Sequence, residues 1–138
     1  MFDFVVRYLG WLKHLPLTAL VFDVMLKMWQ MLTQPEMLDW IDELEAEFLR
    51  WDDASTSIHK YGGLQFNFAG KELGHLHSNG LLDMLFSNEL KAGLLREGRV
   101  KPHHIFKKSG WISFYIRDIG DKDYALKLLR MAYLRRML

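Results

Sequence analysis

Five of the six histidines lie between residues 59 and 104, and four of these form two pairs, His75-Leu76-His77 and His103-His104. Imidazole titrates near neutral pH, ligates metals and carries protons. On a β-strand, alternation puts His75 and His77 on one face, about 6.8 Å apart along the chain, so both rings can converge on one ion or ligand. Glu72 and Asp83 bracket the pair. A carboxylate hydrogen-bonded to an imidazole fixes the ring's orientation and makes an acid/base dyad. In a regular strand Glu72 and Gly74 point away from the two histidines, and a bulge at Gly74 changes that. The expected catalytic set is His75, His77, His103, His104, Glu72 and Asp83. A metal needs a third ligand beyond His-x-His. Asp83, His59, His103 and His104 are available, and the expected metal set is His75, His77 and His104. An all-nitrogen-and-oxygen site suits zinc, manganese or iron, with no choice among them. His59 reads as a surface or core residue of its strand, and His14 as structural in the first helix.

The elements that must position these residues change character along the chain. Residues 2–14 and 17–32 read as helices whose polar positions form one narrow stripe on an otherwise apolar cylinder. Thr33-Gln34-Pro35-Glu36 marks a helix start, with Thr33 as the cap, and the third helix is expected to reach residue 51. The period then shifts from 3.6 to 2. Strands are expected over residues 56–61, 64–68, 72–77 and 81–86, the middle two joined by a turn at Ala69-Gly70. A helix follows from Ser87-Asn88-Glu89 to Glu97 and stops at Gly98. Pro102 makes the His103-His104 stretch extended or looped. Residues 111–116 form the strongest strand, and residues 121–137 a last helix with Arg130, Arg135 and Arg136 toward its C-terminal end. Strands grouped together imply an α+β fold. The expectation is an antiparallel sheet of about four or five strands, an all-helical N-terminal third, and helices packed on one face. Residues 1–138 read as one domain, with 1–51 helical and 55–135 the α+β core.

Composition excludes several classes. There is no cysteine, hence no disulfide, thiolate metal site or cysteine nucleophile. No serine-nucleophile elbow, P-loop or dinucleotide fingerprint is present, so no organic cofactor is expected, and a divalent metal is the cofactor to look for. The formal net charge is +1, which gives no global pull toward nucleic acid or anionic membrane. Charge is uneven, however: residues 1–51 carry four Lys/Arg against eight Asp/Glu, and the remainder carries fourteen against nine. The basic run Arg96, Arg99, Lys101, Lys107, Lys108 brackets the histidine loop, but without a stacking motif nucleic acid is not the expected partner. Trp111, Phe114 and Tyr115 read as sheet core. The expected function is a small-molecule pocket around the paired histidines, with oxidoreductase-type or metal-assisted chemistry. The alternative is a non-enzymatic interaction module, in which the apolar N-terminal helices form a homo-oligomer or associate with a membrane surface. No secretory leader or spanning run is read, and a cytoplasmic location is expected.

Glu72-Leu73-Gly74-His75-Leu76-His77, then Gly80 and Asp83, a short helix ending at Gly98, His103-His104, Gly110-Trp111-Ile112-Ser113-Phe114, and Leu128-Leu129-Arg130 with Tyr133 together resemble the luciferase-like domain family. The resemblance covers about residues 55–135. The family includes the fungal luciferases and many small bacterial proteins. It implies interest in Glu72, His75, His77, Asp83, His103 and His104. The fungal members imply an oxygen-dependent oxidation of an aromatic pyrone, with light emission and no recognised organic cofactor. Membership of a scaffold does not carry a reaction with it. The element order is also similar, in topology alone, to small double-wing domains loosely linked to DNA binding.

Overall fold

In the computed structural model, residues 16–138 are described, and the helix expected over residues 2–14 lies outside them. Helix α1 (Pro16–Thr33) and helix α2 (Pro35–Phe48) come first. Thr33 does not cap α2. Its hydroxyl donates back to the Trp29 carbonyl at 2.8 Å, and Gln34 stands at the cap without a side-chain bond, with Pro35 opening the helix. Proline is suited to that place because the first turn has no use for its missing N–H. Met37, Leu44 and Phe48 are the buried stripe of α2. The helix stops at Phe48 instead of residue 51, and the chain turns through Asp53, which takes a positive φ of 56°.

The strands are β1 (Ala54–Ile58), β2 (Leu64–Phe68), β3 (Lys71–Leu76), β4 (Leu81–Leu85), β5 (Lys101–Pro102) and β6 (Trp111–Tyr115). Helix α3 (Asn88–Glu97) separates β4 from β5, and α4 (Ile119–Met137) closes the described chain. The Ser87 hydroxyl caps α3 by accepting from the Leu90 N–H, and Gly98 ends it in the left-handed conformation. All strand pairs are antiparallel, in the order β1-β2-β3-β4-β6-β5. The sheet therefore has six strands where four or five are expected. The extra one, β5, has two residues and includes a proline, too short for any periodicity and tolerable only at an edge.

The sheet has two unlike faces. Phe66, Leu76, Leu82, Met84, Ile112 and Phe114 turn toward the helices and pack with Phe48 of α2, Leu94 of α3 and Leu128 and Leu129 of α4. This is the α+β arrangement with helices on one face. On the other face one row of residues runs across four strands in register: Gln65, His75, Asp83 and Ser113. No described helix is long and apolar enough to cross a membrane.

Candidate functional site

The polar face owes its arrangement to two local irregularities. Between β2 and β3 the register slips, so that Phe66 pairs with Gly74 and Asn67 with Glu72. Leu73 is the extra residue of this bulge and goes into the core. One inserted residue reverses the alternation that precedes it, which brings Glu72 to the side of His75. Next to it, a Cβ on Gly74 would run into the Asp83 carbonyl and the Met84 sulfur. Glycine there lets β3 and β4 close together at the row that pairs His75 with Asp83.

His77 follows β3 directly. Its N–H donates to the Leu81 carbonyl and its carbonyl accepts from Gly80, both at 2.9 Å, so the hairpin turn holds it beside the strand. His103 follows β5, and its N–H points to the Trp111 carbonyl. The loop beyond it is tied by buried Lys91 of α3, whose Nζ donates to the carbonyls of Lys107 at 2.8 Å and Ser109 at 2.6 Å.

These elements converge on one oxygen. Oδ2 of Asp83 lies 3.6 Å from Nε2 of His75, 3.7 Å from Nε2 of His77 and 3.7 Å from Nε2 of His103. The other oxygen of Asp83 accepts from the Ser113 hydroxyl. Two donor groups have the spacing of a metal site: His75, His77 and Asp83, and His59, Glu72 and His75. Ligands about 2.0–2.2 Å from a tetrahedral zinc stand roughly 3.3–3.6 Å from one another, close to the separations seen around Asp83.

Hydrogen bonds sort three of the buried rings by chemistry. Nδ1 of His75 lies 2.7 Å from Oε1 of Glu72. A carboxylate only accepts, so Nδ1 carries the proton and Nε2, facing Asp83, is a bare lone pair. His103 is the opposite tautomer. Its Nδ1 accepts from the N–H groups of Ile105 and Phe106, each at 3.1 Å, so the proton sits on Nε2 and is aimed at Asp83. His59 repeats this, with Nδ1 accepting from the Tyr61 N–H at 3.3 Å and Nε2 facing Glu72. His103 and His59 thus direct an N–H at a carboxylate, while His75 directs a lone pair at one. Two acceptors facing each other in a buried place call for a cation between them.

Electrostatics agree with neutral rings. Burial, then the neighbouring His75, brings His59 from its ordinary 6.5 down to about 4. Burial, then His77, brings His75 down to about 4 as well. Burial also lowers His103, against the pull of Asp83. Burial alone would raise the Asp83 carboxyl, but the nearby His77, the hydrogen bond from Ser113 and the neighbouring His103 and His75 hold it below the usual range. Metal binding requires deprotonated ligands, and this group supplies them near neutral pH.

Of the six residues singled out in the sequence, Glu72, His75, His77, Asp83 and His103 come together. His104 is exposed; its ring stacks on the outside of His103 at 4.4 Å and belongs to neither donor group. His59, set aside in the sequence, lies in the cluster with its ring stacked on His75 at 3.8 Å and 9°. The signal for it was the hairpin register. Ser57 pairs with Gln65, so residue 59 shares the face that carries His75, and Gly63 opposite adds no side chain between them. Trp111 is also on this face, 5.6 Å from the His75 ring and 6.0 Å from the His103 ring, and walls the group. Phe114 is in the core and Tyr115 is exposed. Two surface concavities of about 330 Å³ lie elsewhere, beside Trp51 and Tyr133 and between α2 and α4, and neither is lined by a histidine.

No curated protein and no solved structure matches the chain. The family model of the luciferase domain matches residues 70–132, a span that holds Glu72, His75, His77, Asp83 and both loop histidines and that supports a luciferase-like domain in this part of the chain.

Proposed function

We propose that the protein holds one divalent transition metal on Nε2 of His75, Nε2 of His77 and a carboxylate oxygen of Asp83, and uses it in an oxidation of a small molecule. The observation that carries this is the unprotonated Nε2 of His75 facing Oδ2 of Asp83 at 3.6 Å, with His77 at 3.7 Å from the same oxygen. Two imidazoles and one carboxylate are the donor set of non-haem iron(II) oxygenases, in which further positions stay open for substrate and oxygen. The luciferase domain match favours oxidation over hydrolysis as the use of such a centre.

The remaining residues support this set without joining it. Glu72 accepts from Nδ1 of His75, the carboxylate–histidine–metal relation that fixes a ligand's tautomer and raises its basicity. His103 aims its Nε2–H at Asp83 and steadies the carboxylate. His59 covers the back of the His75 ring, and Trp111 excludes water from one side. His77, the most exposed of the three ligands, lies where a small molecule would enter. The metal supplies the redox chemistry when bound.

Metal analysis of the protein purified without chelators, followed by anaerobic titration of the stripped protein with iron(II) and with cobalt(II) as an optical probe, tests this. The expected result is one metal per chain, with cobalt bands of a nitrogen-and-oxygen site that are absent from Asp83→Asn and His75→Ala. A stripped protein that binds neither ion above background would end the proposal.

A further inference from the structure

Helix α1 is turned inside out. Its polar side chains Asp23 and Gln30 are buried, at 7% and 8% exposure. Oδ1 of Asp23 accepts from the Ser78 hydroxyl in the turn between β3 and β4 at 3.0 Å. Gln30 has a buried Oε1 with no hydrogen-bond partner among the described residues. Nine large apolar side chains of the same helix are exposed, between 40% and 77% each. A lone helix in water gains by burying the apolar side and wetting the polar one. The observed orientation is stable only if something apolar covers the outside.

The spacing of the exposed residues indicates what covers it. Leu17, Val21, Val24, Met28 and Met31 follow one another at intervals of four, three, four and three, and all are more than half exposed. That is the a/d seam by which one helix packs along another. The exposed apolar side chains of α1 offer on the order of 800 Å², the share one partner gives to a stable pair. Charge favours a protein over a lipid surface. A membrane-surface helix carries several Lys or Arg on its polar side. In α1 the basic residue is Lys27, already paired with Asp23 at 3.3 Å. The helix that follows brings Glu36, Asp39, Asp42 and Glu43, which repel anionic headgroups. The same neutrality lets two copies meet without burying an unpaired charge.

We infer that α1 is a dimer interface, pairing through the Leu17–Val24–Met31 seam with α1 of a second copy of this chain. Val24 is the midpoint of the seam, so it meets its own copy whether the helices run parallel or antiparallel. The chain has no cysteine, and a single Val24→Cys substitution therefore reports on this contact alone. Mild oxidation should convert the variant into a covalent dimer, while Ile58→Cys, placed on an exposed residue of the edge strand β1, forms no covalent cross-link. By analytical ultracentrifugation the full chain should sediment as a dimer. Val21→Glu/Val24→Glu should sediment as a monomer with the same circular dichroism, because neither side chain belongs to the core. A monomeric full chain overturns the inference. So does a double variant that still dimerises, or a full chain that floats with phosphatidylcholine vesicles while Val24→Cys fails to cross-link, which would assign the face to lipid.

Discussion

Both faces of the sheet carry buried side chains, and those side chains are chemically opposite. On one, Phe66, Leu82, Met84 and Ile112 are completely shielded and share one apolar cluster with the helices' buried stripes. On the other, Asp83 is 1% exposed, His59 4%, His103 5% and His75 8%. Burying apolar groups drives folding, at about 25 cal/mol for each Å² removed from water. Burying carboxylates and imidazoles opposes it unless each is paired. The first face accounts for stability. The second is compatible with stability only because Ser113, Glu72 and the backbone N–H groups of Tyr61, Ile105 and Phe106 satisfy it, and one contact, His75 with Asp83, brings two acceptors face to face.

The largest test of this division is a pair of neighbouring residues on β4. Leu82→Ala should cost about 2–5 kcal/mol of stability, measured by denaturant unfolding, with the metal affinity of the folded fraction unchanged. Asp83→Asn should do the reverse, abolishing metal binding in calorimetric titration while the unfolding midpoint moves little. A collapse of the fold in Asp83→Asn would show that the polar face is structural after all. A smaller effect is expected at Glu72→Gln, which keeps the shape but weakens the acceptor of His75. Metal affinity should fall about 10–100-fold, and an unchanged affinity would remove Glu72 from its supporting role.

Acid should separate the faces by degrees. His59 and His75 have folded-state values near 4, below the ordinary 6.5. Between these values the unfolded chain binds more protons than the folded one, so stability is full above pH 6.5 and declines as pH falls toward 4. Unfolding in buffers across that window should show the loss, and a His59→Phe variant should show less of it. The smallest expected effect is at His104→Ala. This exposed ring lies outside both donor groups, and its removal should leave metal affinity within twofold. A loss comparable to that of His75→Ala would place it among the ligands.

The helices α2 and α3, the hairpin strands β1 to β4 and the strong strand β6 were legible in the sequence to within a few residues, because each carries its own period and its own stop signals. Ser87 and Gly98 frame α3 as they should. The two-residue β5 was not legible, since it exists only by pairing with β6. Thr33 has the look of a cap, and the chain uses its hydroxyl one turn back instead. The pairing of Glu72 with His75 depended on a bulge that Gly74 hinted at, but the extra residue is Leu73, which only the register against β2 reveals. His59 and His104 show the same limit. Both are histidines near the others in sequence, and the hairpin turns one inward while the loop turns the other out.

By itself the sequence determined the class of fold, the likeness of residues 70–132 to the luciferase domain, and the stock of imidazoles and carboxylates on hand. These are properties of local pattern and composition. Which ring nitrogen carries a proton, which rings face Asp83, and which side of α1 faces outward were decided by the tertiary structure alone. Each depends on hydrogen bonds and contacts between segments far apart in the chain, such as Ser113 with Asp83 and Ser78 with Asp23, and no local period encodes them.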